Sequence, residues 1–155
     1  MQRIDWDTYF IEIAKVVAKR ASCSRRQVGA VIVKDNSIIS TGYNGAPKGV
    51  LDCFEMNDCM RDRRNIPSGK NYEICMSLHA ENNAITQCAA NGVSCKGGTI
   101  YITHSPCSMC LKQIINAGIK RIVAIEKYPD ELSDMLIKMA NIEFVLFKDK
   151  ELHYE

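Results

Sequence analysis

The second half of the sequence alternates between short apolar runs and segments with helical spacing, and this alternation limits the folds that the chain can adopt. Apolar, β-branched runs predict strands at 99–103, 121–126 and 142–147, and helical spacing predicts helices at 79–91, 107–117 and 129–141. Strands that alternate with helices are typical of a sheet with helices packed against its faces. We therefore expect an α/β fold.

The first half adds one helix and one hairpin to this pattern. Residues 5–21 place apolar side chains at helical spacing, and Asp5 can cap the start of that helix. Two β-branched runs, 28–33 and 37–43, predict a hairpin that turns at 34–36. The element order is then α-β-β-α-β-α-β-α-β. We expect one domain over 1–155, with a five-stranded sheet covered by helices on both faces.

Composition and charge exclude several classes of protein. The 155 residues carry a net charge of +2, so no broad basic surface indicates a long nucleic-acid footprint. The beginning of the sequence lacks the apolar run of a signal peptide, and no stretch approaches the length of a membrane span. We expect a cytoplasmic protein. In a reducing compartment, the eight cysteines favour metal binding or packing over disulfides.

Two short motifs carry the residues of a zinc site. The sequence "HAENNAI" begins at His79, and "SPCSMC" contains Cys107 and Cys110. Each motif opens a predicted helix, and the two cysteines are spaced to lie on one face of a helical turn. One imidazole and two thiolates make three zinc ligands, which leaves a fourth position for water, as in catalytic zinc sites.

Glu81 lies two residues after His79, where its carboxylate would be beside the metal without binding it. Zinc lowers the pKa of a bound water to about 7, and a nearby carboxylate can take the proton and pass it on. Taken alone, the C-x-x-C pair could be redox-active or a core pair, and H-x-E could be a capping arrangement. Together, with Pro106 before the first cysteine, they match the H-x-E…P-C-x-x-C signature of zinc deaminases.

The sequence resembles the cytidine and deoxycytidylate deaminase superfamily, and within it the deoxycytidylate (dCMP) deaminases. The segments that carry this resemblance are "RRQVGAVIVKD" (25–35), "GYNGAPKG" (42–49), "IPSG" (66–69), "HAENNAI" (79–85), "YITHSPCSMC" (101–110), "INAGIKRIV" (115–123) and "YPDE" (128–131). The resemblance implies a three-layer α/β/α sandwich with a mixed five-stranded sheet. It also implies hydrolysis of dCMP to dUMP and ammonia.

The resemblance further implies roles for individual residues. His79, Cys107 and Cys110 match the zinc ligands, and Glu81 matches the proton shuttle. The positions matched to substrate binding are Asn44 for the sugar, and Ser105 and the backbone of Ala80 for the base. Family members are often hexamers built from dimers, and some respond to dCTP and dTTP through a site that includes the loop Gly42, Tyr43, Asn44 and Gly45.

Basic side chains offer a partner for the nucleotide phosphate. Arg25 and Arg26 precede the first strand, and "RDRR" (61–64) lies in the long segment 44–77. Arginine suits bidentate contact with phosphate, so we expect Arg26 to bind the substrate. For any single arginine, a solvated surface charge is the competing interpretation.

Four more cysteines lie in or near the long segment, at Cys23, Cys53, Cys59 and Cys75. Loops of this length are usually functional or held by something, and four thiolates around a structural zinc would order a polar loop. A second zinc is therefore one interpretation, and free packed thiols are the other. Cys88 and Cys95 are interpreted as core residues or as cysteines without a specific role.

Three functions compete at this point. The first is a deaminase of free deoxynucleotides, and the second is a deaminase of tRNA or single-stranded polynucleotides, which needs a basic or aromatic track. The small net charge and an aromatic content of 7% favour the first. The third is an accessory zinc domain without catalysis, and the presence of Glu81 argues against it.

Overall fold

One mixed sheet separates two layers of helices in the computed structural model, which describes residues 3–148. The strands are β1 (Gly29–Lys34), β2 (Ser37–Tyr43), β3 (Thr99–His104), β4 (Arg121–Glu126) and β5 (Glu143–Leu146). The helices are α1 (Trp6–Ala18), α2 (Cys53–Met56), α3 (Met60–Arg63), α4 (Ala80–Ala90), α5 (Ser108–Asn116) and α6 (Glu131–Met139). Residues 1–2 and 149–155 of the predicted domain lie outside the described residues.

The strand order in the sheet is β2-β1-β3-β4-β5. β1 pairs antiparallel with both β2 and β3, whereas β3, β4 and β5 run parallel to one another. Asp35 and Asn36 close the β1–β2 hairpin with positive φ angles of 51° and 56°, which these short polar residues tolerate. The predicted mixed five-stranded sheet is confirmed.

Two hydrophobic clusters lie on opposite faces of the sheet because successive strand side chains point in opposite directions. On one face, Phe10 and Ala14 of α1 pack with Val31 and Tyr101. On the other face, residues of α4, α5 and α6 pack around isoleucines of β1, β3 and β4. The three-layer α/β/α sandwich is therefore confirmed, with α1 alone on one side among the long helices of the described chain.

The ends of the helices follow capping chemistry. The Asp5 side chain accepts a hydrogen bond of 2.9 Å from the backbone N–H of Thr8, which confirms its predicted role as the cap of α1. Asp130 caps α6 in the same way through Leu132 and Ser133, so Pro129 precedes the cap and does not open the helix as predicted. Within residues 3–148, no helix has the length and apolarity that crossing a membrane requires.

The long segment 44–77 contains more regular structure than its sequence indicates. It includes α2, α3 and a 3-10 turn at Tyr72–Ile74. α2 has a capping box in which Asp52 and Glu55 each accept a hydrogen bond from the other's backbone N–H. Each of the two helices has only four residues, which is too short for a helical period to show in the sequence.

Close approach between α4 and β2 depends on Gly42. A Cβ atom at this position would lie 2.2 Å from the carbonyl oxygen of Ala80 and 2.4 Å from the backbone nitrogen of Ala84. Backbone atoms cannot move aside as the end of a flexible side chain can. Glycine at position 42 therefore sets how near the start of α4 lies to the sheet.

We predict that Gly42→Ala destabilises the protein by about 1–3 kcal/mol, the usual cost of overpacking. The free energy of unfolding in urea measures this, with Thr41→Ala as the control because Thr41 is an exposed neighbour on the same strand. Equal stability of Gly42→Ala and the parent would contradict the close contact between α4 and β2.

Candidate active site

The N-termini of α4 and α5 present the residues of both motifs. His79 and Cys107 are the N-cap residues of these helices, with nearly the same backbone angles: φ −69° and ψ 156° for His79, and φ −68° and ψ 163° for Cys107. Neither side chain makes a capping hydrogen bond. The capping interpretation of H-x-E is therefore wrong for His79, and both side chains are free to bind something else.

His79, Cys107 and Cys110 form a compact group of potential metal ligands. Their ligand atoms all lie within 4.8 Å of one another. In the part of the chain that the structure describes, no other three His, Cys, Asp or Glu residues form such a group. Nδ1 of His79 lies 3.5 Å from Sγ of Cys107 and 3.3 Å from Sγ of Cys110. Tetrahedral zinc with ordinary Zn–N and Zn–S bonds requires N···S separations of about 3.5 Å, so the group fits zinc.

The protonation of this group also favours a cation. The Cys110 thiol and the His79 ring hydrogen-bond to the Cys107 sulfur and lower the pKa of Cys107 to about 4. The pKa of Cys110 is raised, because its proton is shared with Cys107 and a second negative charge beside the first is disfavoured. The pair thus loses one proton readily and the other reluctantly. A bound dication would stabilise both thiolates.

Glu81 lies in the first turn of α4 and is only 4% exposed. Burial raises the pKa of its carboxyl to about 7, and the nearby charge of His79 opposes this rise. A carboxyl that titrates near neutral pH can both accept and release a proton under ordinary conditions. Its position two residues from His79 and its burial fit the proton-transfer group that the sequence predicts.

Hydrogen bonds to the end of β2 fix the start of α4. Gly45 and Leu78 exchange two backbone hydrogen bonds of 3.1 and 2.9 Å, directly before His79. The side-chain amide of Asn83 donates to the carbonyl oxygen of Tyr43 at 2.8 Å. The residues of the "GYNG" loop therefore hold the helix that carries His79 and Glu81.

A cavity of about 840 Å³ opens over the ligand group. Its lining includes the residues predicted to hold the base and the sugar: Asn44, Ala80 and Ser105. The buried Asn44 side chain accepts a hydrogen bond from the N–H of Val28 and donates one to the carbonyl oxygen of Arg26. Ser105 Oγ accepts a hydrogen bond from the N–H of Tyr128. The structure thus brings His79, Cys107 and the predicted substrate residues into one cavity.

Arg26 lies at the mouth of this cavity in contact with Tyr128. Its guanidinium carbon is 5.2 Å from the centre of the Tyr128 ring, and Nη2 donates to the Tyr128 hydroxyl at 3.1 Å. The His104 ring lies parallel to the Tyr128 ring, with the ring centres 6.4 Å apart. Burial lowers the pKa of His104, which favours its neutral form. Arg26 is thus an exposed cation with a fixed orientation.

The other candidate arginines hold the long segment together. Arg25 donates to the carbonyl oxygen of Ile66 and pairs with Asp62. Arg61 is only 7% exposed, and its Nη2 donates to the carbonyl oxygens of Pro67 and Lys70. Both residues line the cavity, but their hydrogen bonds go to the protein itself.

The four cysteines of the predicted second site are neighbours but less compact than the first group. Cys53 is buried, and burial is the main cause of its raised pKa, with smaller contributions from Cys59, Cys23 and Cys75. Cys53 therefore lies near enough to each of the other three for their charges to interact. Among the described residues, they do not form a group with all ligand atoms within 4.8 Å of one another.

The remaining cysteines match their predicted place in the core. Cys88 and Cys95 are buried with residues of α4, α5 and the sheet. All eight cysteines are free thiols, so Cys107 and Cys110 are not a disulfide in this structure.

Sequence reasoning gave no role to three residues of the cavity: Tyr72, His104 and Tyr128. Tyr128 is the first residue of "YPDE", one of the segments that carry the family resemblance. That segment is the signal in the sequence that could have indicated a role for Tyr128 in the site. Tyr72 lies in the irregular segment and has no motif around it. Its place beside His79 follows from how that segment folds.

Comparisons with known proteins point in the same direction as the geometry. A family model described as the cytidine and deoxycytidylate deaminase zinc-binding region matches residues 4–126. Deoxycytidylate deaminase of Mycobacterium phage D29 is 40% identical over 136 residues, covering 84% of this chain and 99% of that protein. ComE operon protein 2 of Bacillus subtilis (strain 168) is 41% identical over 128 residues, covering 83% of this chain and 63% of that protein.

A solved structure is similar over nearly the whole chain. It is the crystal structure of dCMP deaminase from the cyanophage S-TIM5 in complex with dCMP and dUMP, with a TM-score of 0.76 and 26% sequence identity. The match covers 95% of this chain and 100% of the phage protein. Two further curated relatives are longer, and the chain spans 44% and 45% of their length.

Proposed function

This chain belongs to the cytidine and deoxycytidylate deaminase family, and from that premise we propose that it hydrolyses dCMP to dUMP and ammonia in a zinc-dependent reaction. The observation that carries the proposal is the group of His79, Cys107 and Cys110, with ligand atoms within 4.8 Å of one another, beside the buried Glu81. Relatives named as deoxycytidylate deaminases and a similar structure with dCMP and dUMP support the choice of substrate.

His79, Cys107 and Cys110 would hold the zinc ion, with Nδ1 as the histidine ligand atom because it faces both sulfurs. When bound, zinc supplies a Lewis acid that makes water acidic enough to ionise near neutral pH. The two cysteines hold the negative charge that the cation requires. The N-termini of α4 and α5 add their partial positive charge, which favours thiolates.

Glu81 moves the protons of the reaction. Its pKa of about 7 allows the carboxylate to accept a proton from the attacking water and then donate a proton to the departing amine. Burial matters here, because a carboxyl in bulk water would have a lower pKa and would be a poor acid at neutral pH. Deamination needs both steps, so one carboxyl of intermediate pKa serves as base and then as acid.

The residues around Glu81 would orient the nucleotide. The backbone of Ala80 and the Ser105 hydroxyl would contact the base, and Asn44 would contact the sugar. Asn44 uses one amide hydrogen and one oxygen lone pair on the protein backbone, which leaves one of each for a hydroxyl group. A buried polar contact of this kind discriminates strongly, because a substrate without the partner group leaves it unpaired.

Arg26 is the arginine best placed for the 5′-phosphate. Its orientation is set by the Tyr128 ring and by Asn44, which holds the Arg26 carbonyl oxygen. Arg25 and Arg61 have hydrogen bonds to protein carbonyl groups, so they contribute positive charge to the cavity and less direct contact. Recognition of the phosphate favours a nucleotide over a nucleoside.

A structural zinc held by Cys23, Cys53, Cys59 and Cys75 is a further part of the proposal. The electrostatic interaction of Cys53 with the other three supports it, because such an effect requires proximity. These cysteines connect the end of α1 to the segment around α2, α3 and the 3-10 turn. A metal ion between them would order that segment.

The compartment, the oligomeric state and the regulation of the protein are proposed from its resemblance to the family. We expect a cytoplasmic enzyme, functional as one domain over 1–155, that forms dimer-based homo-oligomers such as hexamers. Regulation by dCTP and dTTP through the loop 42–45 stays a prediction.

The first test separates metal binding from proton transfer. Glu81→Gln should retain the zinc of the parent, at least one ion per chain, and lose about 10²–10⁴-fold in turnover, because it removes the proton acceptor only. Cys107→Ser should lose both zinc and activity. Metal analysis and ammonia release measure these effects, with Cys95→Ser as the control outside the site. A Glu81→Gln enzyme as active as the parent would overturn the role of Glu81.

The second test concerns the substrate. Among dCMP, CMP, deoxycytidine, dCTP and a tRNA stem-loop, dCMP should give the highest kcat/KM. Arg26→Ala should lower kcat/KM for dCMP about 10- to 100-fold, the range for a charged hydrogen bond, and leave deoxycytidine turnover unchanged. Arg64→Ala is the matched control, since Arg64 is exposed in the long segment. Faster turnover of deoxycytidine or of the tRNA would contradict the proposal.

The third test counts the metal ions. The parent should contain about two zinc ions per chain, and the variants Cys59→Ser and Cys75→Ser should each contain about one. Protease resistance should fall in the same variants, because the segment 44–77 would lose its cross-link. If zinc content and protease resistance match those of a Cys95→Ala control, the second site does not exist.

A further inference from the structure

The Tyr72 ring packs directly against the imidazole of His79. The two ring centres are 4.5 Å apart and the ring planes meet at 90°, a favourable edge-to-face geometry. Tyr72 is half-buried and lines the same cavity as His79. Rotation of the imidazole about its Cβ–Cγ bond would disrupt this edge-to-face contact. The same rotation would carry Nδ1 away from the two cysteine sulfurs.

Arg61 contacts the same tyrosine. Its guanidinium carbon lies 5.0 Å from the centre of the Tyr72 ring, a cation–π arrangement. Because Arg61 is 7% exposed, this contact is shielded from water and gains strength. Tyr72 is therefore held by Arg61 as well as by His79.

Arg61 is itself fixed by the segment that leads to Tyr72. Its Nη2 donates to the carbonyl oxygens of Pro67 and Lys70 at 3.1 and 2.8 Å. The backbone N–H of Ile66 donates to the Arg61 carbonyl oxygen at 2.9 Å. One side chain thus ties α3 to the segment that leads into the 3-10 turn at Tyr72–Ile74.

Arg61 also carries an unusual cost. Its Nε atom is buried without a hydrogen-bond partner among the described residues. Buried donors are nearly always paired, and one that is not lowers stability. Such a cost is consistent with a residue kept for the position of its neighbour. It is not what phosphate recognition by an open side chain would require.

We propose that Tyr72, held in place by Arg61, is a positioning residue that fixes the plane of the His79 ring with Nδ1 facing Cys107 and Cys110. The inference rests on the proposed zinc site. It gives the segment 60–72 a direct link to the metal ligand. Residues that orient a ligating histidine commonly change metal affinity 10- to 100-fold when removed.

The test compares Tyr72→Leu with Tyr72→Phe, so that the ring is removed in one variant and only the hydroxyl group in the other. Competition with a chromophoric chelator measures zinc affinity, and Co²⁺ in place of zinc gives absorption bands that report ligand geometry and thiolate bonding. Tyr72→Leu should bind zinc about 10- to 100-fold more weakly and shift the Co²⁺ bands. Tyr72→Phe should behave as the parent, because the ring contact persists.

Two further variants complete the design. Arg61→Lys cannot donate through a planar guanidinium to two carbonyl groups, so it should weaken zinc binding in the same direction as Tyr72→Leu. Tyr9→Leu is the matched control, since Tyr9 is an exposed aromatic residue on α1. Thermal unfolding of the metal-free variants identifies any that fail to fold, and Arg61→Lys still tests the hold on the Tyr72 ring if Tyr72→Leu is one of them.

The outcomes separate this inference from the proposed function. If the parent binds Co²⁺ without thiolate bands, the zinc site itself is wrong. If the parent shows those bands and Tyr72→Leu matches it in affinity and spectrum, Tyr72 does not position His79. Equal losses in Tyr72→Phe and Tyr72→Leu would also overturn the inference, because the hydroxyl group and not the ring would then be responsible.

Discussion

The convergence of two helix N-termini is the constraint on which the site depends. Along the chain, α4 comes after β2 and α5 comes after β3. The strand order brings the starts of both helices to the same edge of the sheet. His79 and Cys107 are N-cap residues whose side chains make no capping bonds. Because neither side chain caps its helix, the partial positive charges of two helix N-termini lie close to three potential metal-ligand atoms.

The close approach of α4 to the sheet supports this convergence. Gly42 admits the α4 backbone, and the hydrogen-bond pair between Gly45 and Leu78 fixes the residue before His79. The "GYNG" loop therefore supports the ligand group, and its Asn44 also lines the cavity. The Asn44 side chain of this loop donates a hydrogen bond to the carbonyl oxygen of Arg26 and so fixes the backbone at that residue.

Most of the fold could be predicted from the sequence, and the exceptions have physical reasons. The long helices and the strands have periodic apolar faces that a sequence reveals, and Asp5 was recognisable as a cap. α2 and α3 were not, because a helix of a single turn leaves no periodic signal. The sequence predicts that α6 begins at Pro129, whereas Asp130 is the N-cap and the first helical residue is Glu131.

The same distinction applies to the site. His79, Glu81, Cys107 and Cys110 stand in two local motifs, and the match of both motifs to the zinc-deaminase signature indicated that they act together. The cluster of Arg26, His104 and Tyr128, and the contact of Tyr72 with His79, join residues from distant parts of the chain. Such contacts depend on how distant segments of the chain pack together, which no local pattern encodes.

The contacts of Arg26 have a consequence for the entropy of binding. An exposed arginine normally loses close to 2 kcal/mol of rotamer freedom when a ligand immobilises it. Here the Tyr128 ring and hydroxyl restrict the side chain, and Asn44 restricts its backbone, before any anion arrives. Much of the ordering is thus complete in the free protein. A preorganised cation of this kind selects anions by their position, because it cannot follow a misplaced charge without breaking its own contacts.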